Sequence, residues 1–201
     1  QYLLGYLPEK KLRQFRNYKG LQSYPSRTKD VDPVDFSTGS VGLGAVIPNF
    51  SRLTRQFVQD HFKQLRNNRF IALIGDAELD EGNVWEALGE ETLQDMGQIL
   101  WIVDLNRQSL DRVVPSGKAQ KMEEMFRING WKVIELKYGS TLEEAFKLPY
   151  GERLRKRIDL MSNDEYQSLL QINDGEKIRN RLAETKNGPD KKLLKLLLST
   201  S

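Results

Sequence analysis

Four carboxylates, Asp76, Glu78, Asp80 and Glu81, fall within six residues of one another in the stretch LIGDAELDEGN, directly after the apolar residues 70–74. Like charges this close repel, so the arrangement calls for something positive nearby. A divalent cation is the chemistry that fits. Asp76 comes two residues after the last apolar residue of that run, and thirty residues further on Asn106 follows a second apolar run, QILWIVDL. If the two runs are neighbouring strands about 4.8 Å apart, both residues stand at the carboxyl ends of a parallel sheet, where such sheets bind ligands. One carboxylate and one amide oxygen, with little else from the protein, is what Mg²⁺ accepts when phosphate oxygens complete its octahedron. The segment after the acids reads as a helix starting near them, and its free N–H groups and dipole favour the same phosphates. Asp76 is the acid placed for the metal. Glu78, Asp80 and Glu81 taken singly suit a helix N-terminus better, where each contributes about 0.3–1 kcal/mol.

Other chemistries find less support. Counted from Asp76, an EF-hand would need glycine at position six, where Glu81 stands, and an acid at position twelve, where Ala87 stands. The glycine-rich STGSVGLGA follows DPVDF rather than an apolar strand, which argues against a dinucleotide loop, and no phosphate-binding G-x-x-x-x-G-K-[ST] occurs. There are no cysteines, so disulfides and thiolate metal sites are excluded. The one histidine, His61, lies in a helical stretch and reads as structural or surface. Trp85, Trp101 and Trp131 read as core, and Lys118, Lys121 and the basic runs RLRKR and KKLLK as solvated helix faces.

The elements that would position these residues follow from the pattern. The chain has 201 residues, 38% of them hydrophobic and 29% charged, which suits one α/β domain with a real core. A net charge of +3 with pI near 9.0 is too even a mixture to point to nucleic acid. No apolar run approaches the ~20 residues of a membrane span, and the default is a cytoplasmic protein. PEKKLRQFRNY predicts a short helix after Pro8, and residues 19–38 a long loop. The glycine-rich 39–45 leads into a helix with Phe50, Leu53 and Phe57 on one face, and Pro48 either kinks it or sits in its first turn. RFIALI (69–74), QILWIVDL (98–105) and WKVIEL (131–136) read as three buried parallel strands, linked by NVWEALGEETLQDMG and by GKAQKMEEMFRING as crossover helices. From residue 139 the chain reads as mostly helical. The opening QYLLGY, without methionine, and the ending KKLLKLLLSTS read as cuts from something longer.

With these residues in view, the chain resembles a known family. GDAELDEGN followed by DLNRQSLD is similar to the metal and diphosphate motif of thiamine diphosphate enzymes, usually GDG with a downstream Asn. STGSVGLG resembles the glycine-rich segment of transketolases and their relatives. GLQSYP, DAELDE, LNRQSLD and GWKVIELKYGS, in that order, are most similar to the homodimeric bacterial type of pyruvate dehydrogenase decarboxylating component, and the likeness runs from about residue 2 to about 182. The resemblance implies the α/β thiamine diphosphate-binding fold, a parallel sheet with crossover helices, here followed by a helical C-terminal region. It implies thiamine diphosphate and Mg²⁺ as cofactors, with the Asp76 and Asn106 side chains and the Gln108 backbone carbonyl on the metal. Gly75 completes the diphosphate motif, and the N–H groups of Ala77 and Glu78 would hold diphosphate oxygens. Gly39 and Val41 would contact the pyrimidine or thiazolium ring, and Leu110 is a further candidate for the thiazolium or for ordinary core.

The resemblance further implies residues 1–201 as the diphosphate-binding domain alone, with 1–38 as N-terminal helix and long loop and 139–201 as helical extension. The pyrimidine-binding domain, source of the activating glutamate, has no counterpart here, so the chain would supply half a site. Implied partners are a 2-oxo acid substrate, a second copy or a pyrimidine-binding domain, and a lipoyl acyltransferase. Ala77 in place of the motif's second glycine departs from the pattern and would cost about 1–2 kcal/mol if that position needs positive φ. Two alternatives stay open: a transketolase-like enzyme of sugar phosphates, and a non-catalytic relative serving as an interaction or regulatory module.

Overall fold

A computed structural model of the chain describes residues 1–39, 41–94, 96–106, 108–109, 112–113, 117–185 and 188–199, with the backbone alone at 108, 109, 112 and 113. The chain divides into two compact units, Gln1–Asn106 and Arg107–Ser201.

In the first unit, Pro8 caps the short helix α1 (Glu9–Leu12), as its fixed φ suits a helix start. No helix or strand is described from there to residue 42, yet the loop is tied down. The Lys11 ammonium meets both Asp32 oxygens at 2.7 Å, and the Asp30 carboxylate accepts from Gln22 and from the Ser26 amide. Helix α2 (Leu43–His61) then begins at Gly42, whose φ is 74°. Strand β1 (Phe70–Gly75) runs into a 3-10 turn (Asp76–Asp80), then helix α3 (Gly82–Leu88), a second 3-10 turn (Glu91–Leu93) and strand β2 (Ile99–Asp104). β1 and β2 pair in parallel, Phe70 opposite Ile99 and Gly75 opposite Asp104. This is the parallel sheet with a crossover that the strand–helix–strand pattern predicts.

Four details differ from the sequence reading. The crossover is not one helix: Gly89 ends α3, and Glu90 starts the 3-10 turn by accepting from the Thr92 amide. Of the two readings of Pro48, the first-turn placement falls: it is buried in the second turn of α2, where its missing N–H leaves the Gly44 carbonyl without its helical donor. The strands are covered on one face only. Ala72 and Ile74 are buried, whereas Ile71 and Leu73 on β1 and Leu100 and Ile102 on β2 are exposed. WKVIEL, finally, is not a strand: residues 131–137 carry no regular element, and they fall in the second unit.

The buried face of α2 is Ala45, Pro48, Asn49 and Arg52, at i, i+3, i+4 and i+7. Phe50 and Phe57 stay half exposed on another face. Asn49 explains the choice: its Nδ2 donates to the Ala87 carbonyl at 3.3 Å, and its Oδ1 accepts from Trp101 Nε1 at 2.9 Å, joining α2, α3 and β2. Arg52 donates to the Met96 carbonyl at 3.2 Å. The tryptophans, expected in the core, are partly buried and lie at its edge: Trp85 Nε1 donates to the Leu79 carbonyl at 2.6 Å and Trp131 packs edge-on against Phe126. His61 stacks on Phe57 at the exposed end of α2.

The second unit begins with a small antiparallel ribbon, β3 (Gln108–Ser109) with β4 (Arg112–Val113). Helix α4 (Lys118–Ile128) ends at Asn129 with Gly130 at φ 79°, the Asn-Gly stop expected from sequence. Helices α5 (Ser140–Lys147), α6 (Gly151–Asp159), α7 (Asn163–Leu170), α8 (Gly175–Ala183) and α9 (Lys191–Ser199) follow, with a second ribbon of β5 (Glu184–Thr185) and β6 (Gly188–Pro189) between the last two. Their core is Ala145, Leu154, Ala183, Leu193, Leu196 and Leu197. RLRKR is not simply solvated: Arg157 pairs with Glu165 and Arg153 with Asp190.

Candidate functional site

The register of β1 against β2 puts Gly75 opposite Asp104, so Asp76 and Asn106 both follow at the carboxyl end of the pair. Asp76 is 2% exposed, in the first position of the 3-10 turn, while Asn106 is exposed. A carboxylate held this deep is costly unless a positive or donor group faces it. Ala77 and Glu78 complete the first part of the turn, where backbone N–H groups have no helical acceptor. Ala77 is absent from the positive-φ residues, so alanine in place of the motif's glycine carries no backbone strain. Burial pushes the Glu78 carboxyl above its ordinary value; a hydrogen bond from the Gly75 backbone opposes this and the Glu81 charge adds to it.

The glycine-rich segment meets this loop. Asn83 Nδ2, in the first turn of α3, donates to the Val41 carbonyl at 3.0 Å. A Cβ added at Gly44 would come within 3.8 Å of Glu78 Oε2. Val41 is half exposed, and Gly39, Gly44 and Glu78 line a groove of about 890 Å³ that runs along the exposed side of β1 past Ile71 and Leu73. A Cβ at Gly39 or Gly75 would meet no atom within 4 Å, so open space adjoins both glycines.

These features fit a diphosphate-bearing cofactor with a divalent cation: a buried carboxylate, an amide side chain beyond the neighbouring strand end, the first amides of a tight turn, and room beside two glycines. Among the described residues no group of three or more His, Cys, Asp or Glu could hold a metal ion. Of the remaining sequence-predicted residues, Gln108 lies in the second unit, its backbone paired with Val113, and Leu110 lies outside the described residues. The sequence reading missed Asn83, Gly42 and Gly44. The GN of GNVW reads as an ordinary helix start, and no local signal ties it to a segment some forty residues earlier.

The chain belongs to the family described as transketolase, thiamine diphosphate binding domain, which matches residues 1–148. Thiamine diphosphate is therefore the cofactor of its family. Among curated relatives the chain is 29% identical over 190 residues to the pyruvate dehydrogenase E1 component of Cupriavidus necator, covering 92% of this chain and 21% of that protein. It is 28% identical over 184 residues to the protein of that name from Haemophilus influenzae and 26% identical over 184 residues to that from Escherichia coli strain K12, each match covering 89% of this chain and 21% of the relative. The chain thus spans about a fifth of the length of these relatives. Among the described residues, no helix is long and apolar enough to cross a membrane.

Proposed function

We propose that the chain holds magnesium thiamine diphosphate at the carboxyl ends of β1 and β2, as the diphosphate-binding domain of a cytoplasmic enzyme of the pyruvate dehydrogenase type. The observation that carries this reading is the meeting of the glycine-rich segment with the acidic loop beside the buried Asp76. The Asp76 carboxylate supplies charge to the metal, and the Asn106 side chain and the Gln108 backbone carbonyl supply neutral oxygens. The Ala77 and Glu78 amides donate to diphosphate oxygens. Gly75 and Gly39 leave room for the cofactor, and Val41 and Leu110 offer it apolar surface. When bound, thiamine diphosphate supplies a carbon nucleophile for a carbonyl substrate and an electron sink for the resulting negative charge.

The relatives' printed name and the motif order favour a 2-oxo acid as substrate over a sugar phosphate. The activating glutamate would come from a pyrimidine-binding domain, in a second copy or a partner, and a lipoyl acyltransferase would take the acyl group. Residues 139–201 would be a helical extension of the domain.

Calorimetric titration of thiamine diphosphate into the natural protein, with and without Mg²⁺, tests the reading. Binding should need Mg²⁺ and should be lost in Asp76→Asn, which keeps the shape and removes the charge. Turnover of pyruvate, but not of xylulose 5-phosphate, should follow. Absence of binding by the natural protein would overturn the enzyme reading and leave a non-catalytic relative.

A further inference from the structure

From the first turn of α3, Asn83 reaches across 42 residues of sequence to donate to the Val41 carbonyl at 3.0 Å. Its Oδ1 is buried and, among the described residues, accepts no hydrogen bond. Together with Val84 Cγ2 and Glu81 Cβ it forms a wall facing Gly42. A Cβ added at Gly42 would lie 2.6 Å from Asn83 Oδ1 and 2.7 Å from Val84 Cγ2, and Gly42 also has φ +74°. Glycine is required there twice over, by the close approach and by the left-handed backbone. Val84 is itself fully buried, so the wall does not yield. One side of the joint is rigid packing, and the other is a single amide gripping a carbonyl.

That carbonyl is well placed to matter. Val41 lies just before Gly42, where the chain turns into α2, and residues 37–39 before it carry no regular element. Packing thus fixes Gly42, while the hydrogen bond fixes the direction in which the segment leaves it.

We propose that Asn83 is a positioning residue: it sets the spacing between the segment that meets the cofactor's rings, Gly39 and Val41, and the loop that meets its diphosphate, Asp76 to Glu78. The inference rests on the cofactor reading above. Asn83 itself touches neither metal nor cofactor. Without its donor, the Val41 carbonyl is free to turn, and the ring segment moves independently of the diphosphate loop.

The test compares the natural protein with Asn83→Leu, which keeps most of the shape without a donor or a charge, and with Asn83→Ala. The probes are thiamine diphosphate and inorganic diphosphate, each with Mg²⁺. A positioning role predicts that both variants bind thiamine diphosphate about fivefold to tenfold more weakly, the scale of one hydrogen bond, and bind inorganic diphosphate as before. Equal weakening for both probes indicates general damage and overturns the role, as does no weakening at all. Amide hydrogen exchange without any ligand provides the second arm. Exchange at Ala45, Val46 and Ile47 should quicken in both variants while that at Ala72 and Ile74 is unchanged; unaltered exchange at the start of α2 would overturn the clamp. Failure of the natural protein to bind thiamine diphosphate would overturn the cofactor reading instead, and the exchange arm tells the two failures apart.

Discussion

Alanine at position 77 stands where the motif of thiamine diphosphate enzymes usually has glycine, and its cost depends on one dihedral angle. Ala77 is the second residue of a 3-10 turn and has negative φ, which an L-residue adopts freely. Alanine here also narrows the unfolded ensemble relative to glycine. Ala77→Gly should therefore destabilise the chain by about 0.5–1 kcal/mol in urea unfolding, without tightening thiamine diphosphate binding. A tighter complex in the glycine variant would mean that binding forces this position into a conformation alanine resists. At this scale the sequence was informative about Asp76, because its charge, its place after an apolar run and the Asn thirty residues later are all local signals. It was silent about Asn83, whose partner is fixed only once α2 and α3 pack.

At the scale of elements, periodicity identified more than it placed. Both strands of the pair were legible within one residue or so, as were the helices after residue 139, because apolar runs and 3.6-residue spacing survive in any packing. Which face each element buries was less legible. Phe50, Leu53 and Phe57 make the more apolar face of α2, yet Asn49 and Arg52 are buried instead, because backbone carbonyls at Ala87 and Met96 meet them there. Tertiary hydrogen bonding outweighed hydrophobicity. WKVIEL has strand composition, yet residues 131–137 pair with no strand among the described residues, and composition alone does not make a strand. Continuous apolar strands likewise suggested a sheet covered twice, whereas the two faces of β1 differ sharply: Ile74 is 1% exposed and Leu73 75%. Ile74→Ala should cost about 2–4 kcal/mol and Leu73→Ala less than about 0.5 kcal/mol, measured by chemical denaturation. A comparable loss at Leu73 would show that the outer face of β1 is packed in solution.

At the scale of the molecule, each unit has its own core, and Glu78 of the first pulls against the paired acids of the second. In the second unit, Arg157 holds the Glu165 carboxyl below its ordinary value; Lys137 and then Tyr138 do the same for Asp159, and the Leu193 amide leads for Asp190. An acid with a depressed folded-state pKa contributes stability that is present above its unfolded value and lost as pH falls through its folded one. Acid should therefore loosen the second unit, chiefly through Glu165, which ties α7 to α6 from a half-buried position. Glu78 in the first unit has the opposite sign. Burial raises its pKa, so its ionised form is a burden at neutral pH that protonation relieves as pH falls towards and through its raised folded-state value. An acid titration followed by amide NMR resolves the two responses. Signals of Leu154, Ala183 and Leu196 should lose their dispersed positions at a higher pH than those of Ala72 and Ile74, and Glu165→Gln should flatten the pH dependence of the first group alone. Simultaneous loss of both groups would mean that the units unfold as one, so that the opposing local charges are averaged over a single cooperative transition.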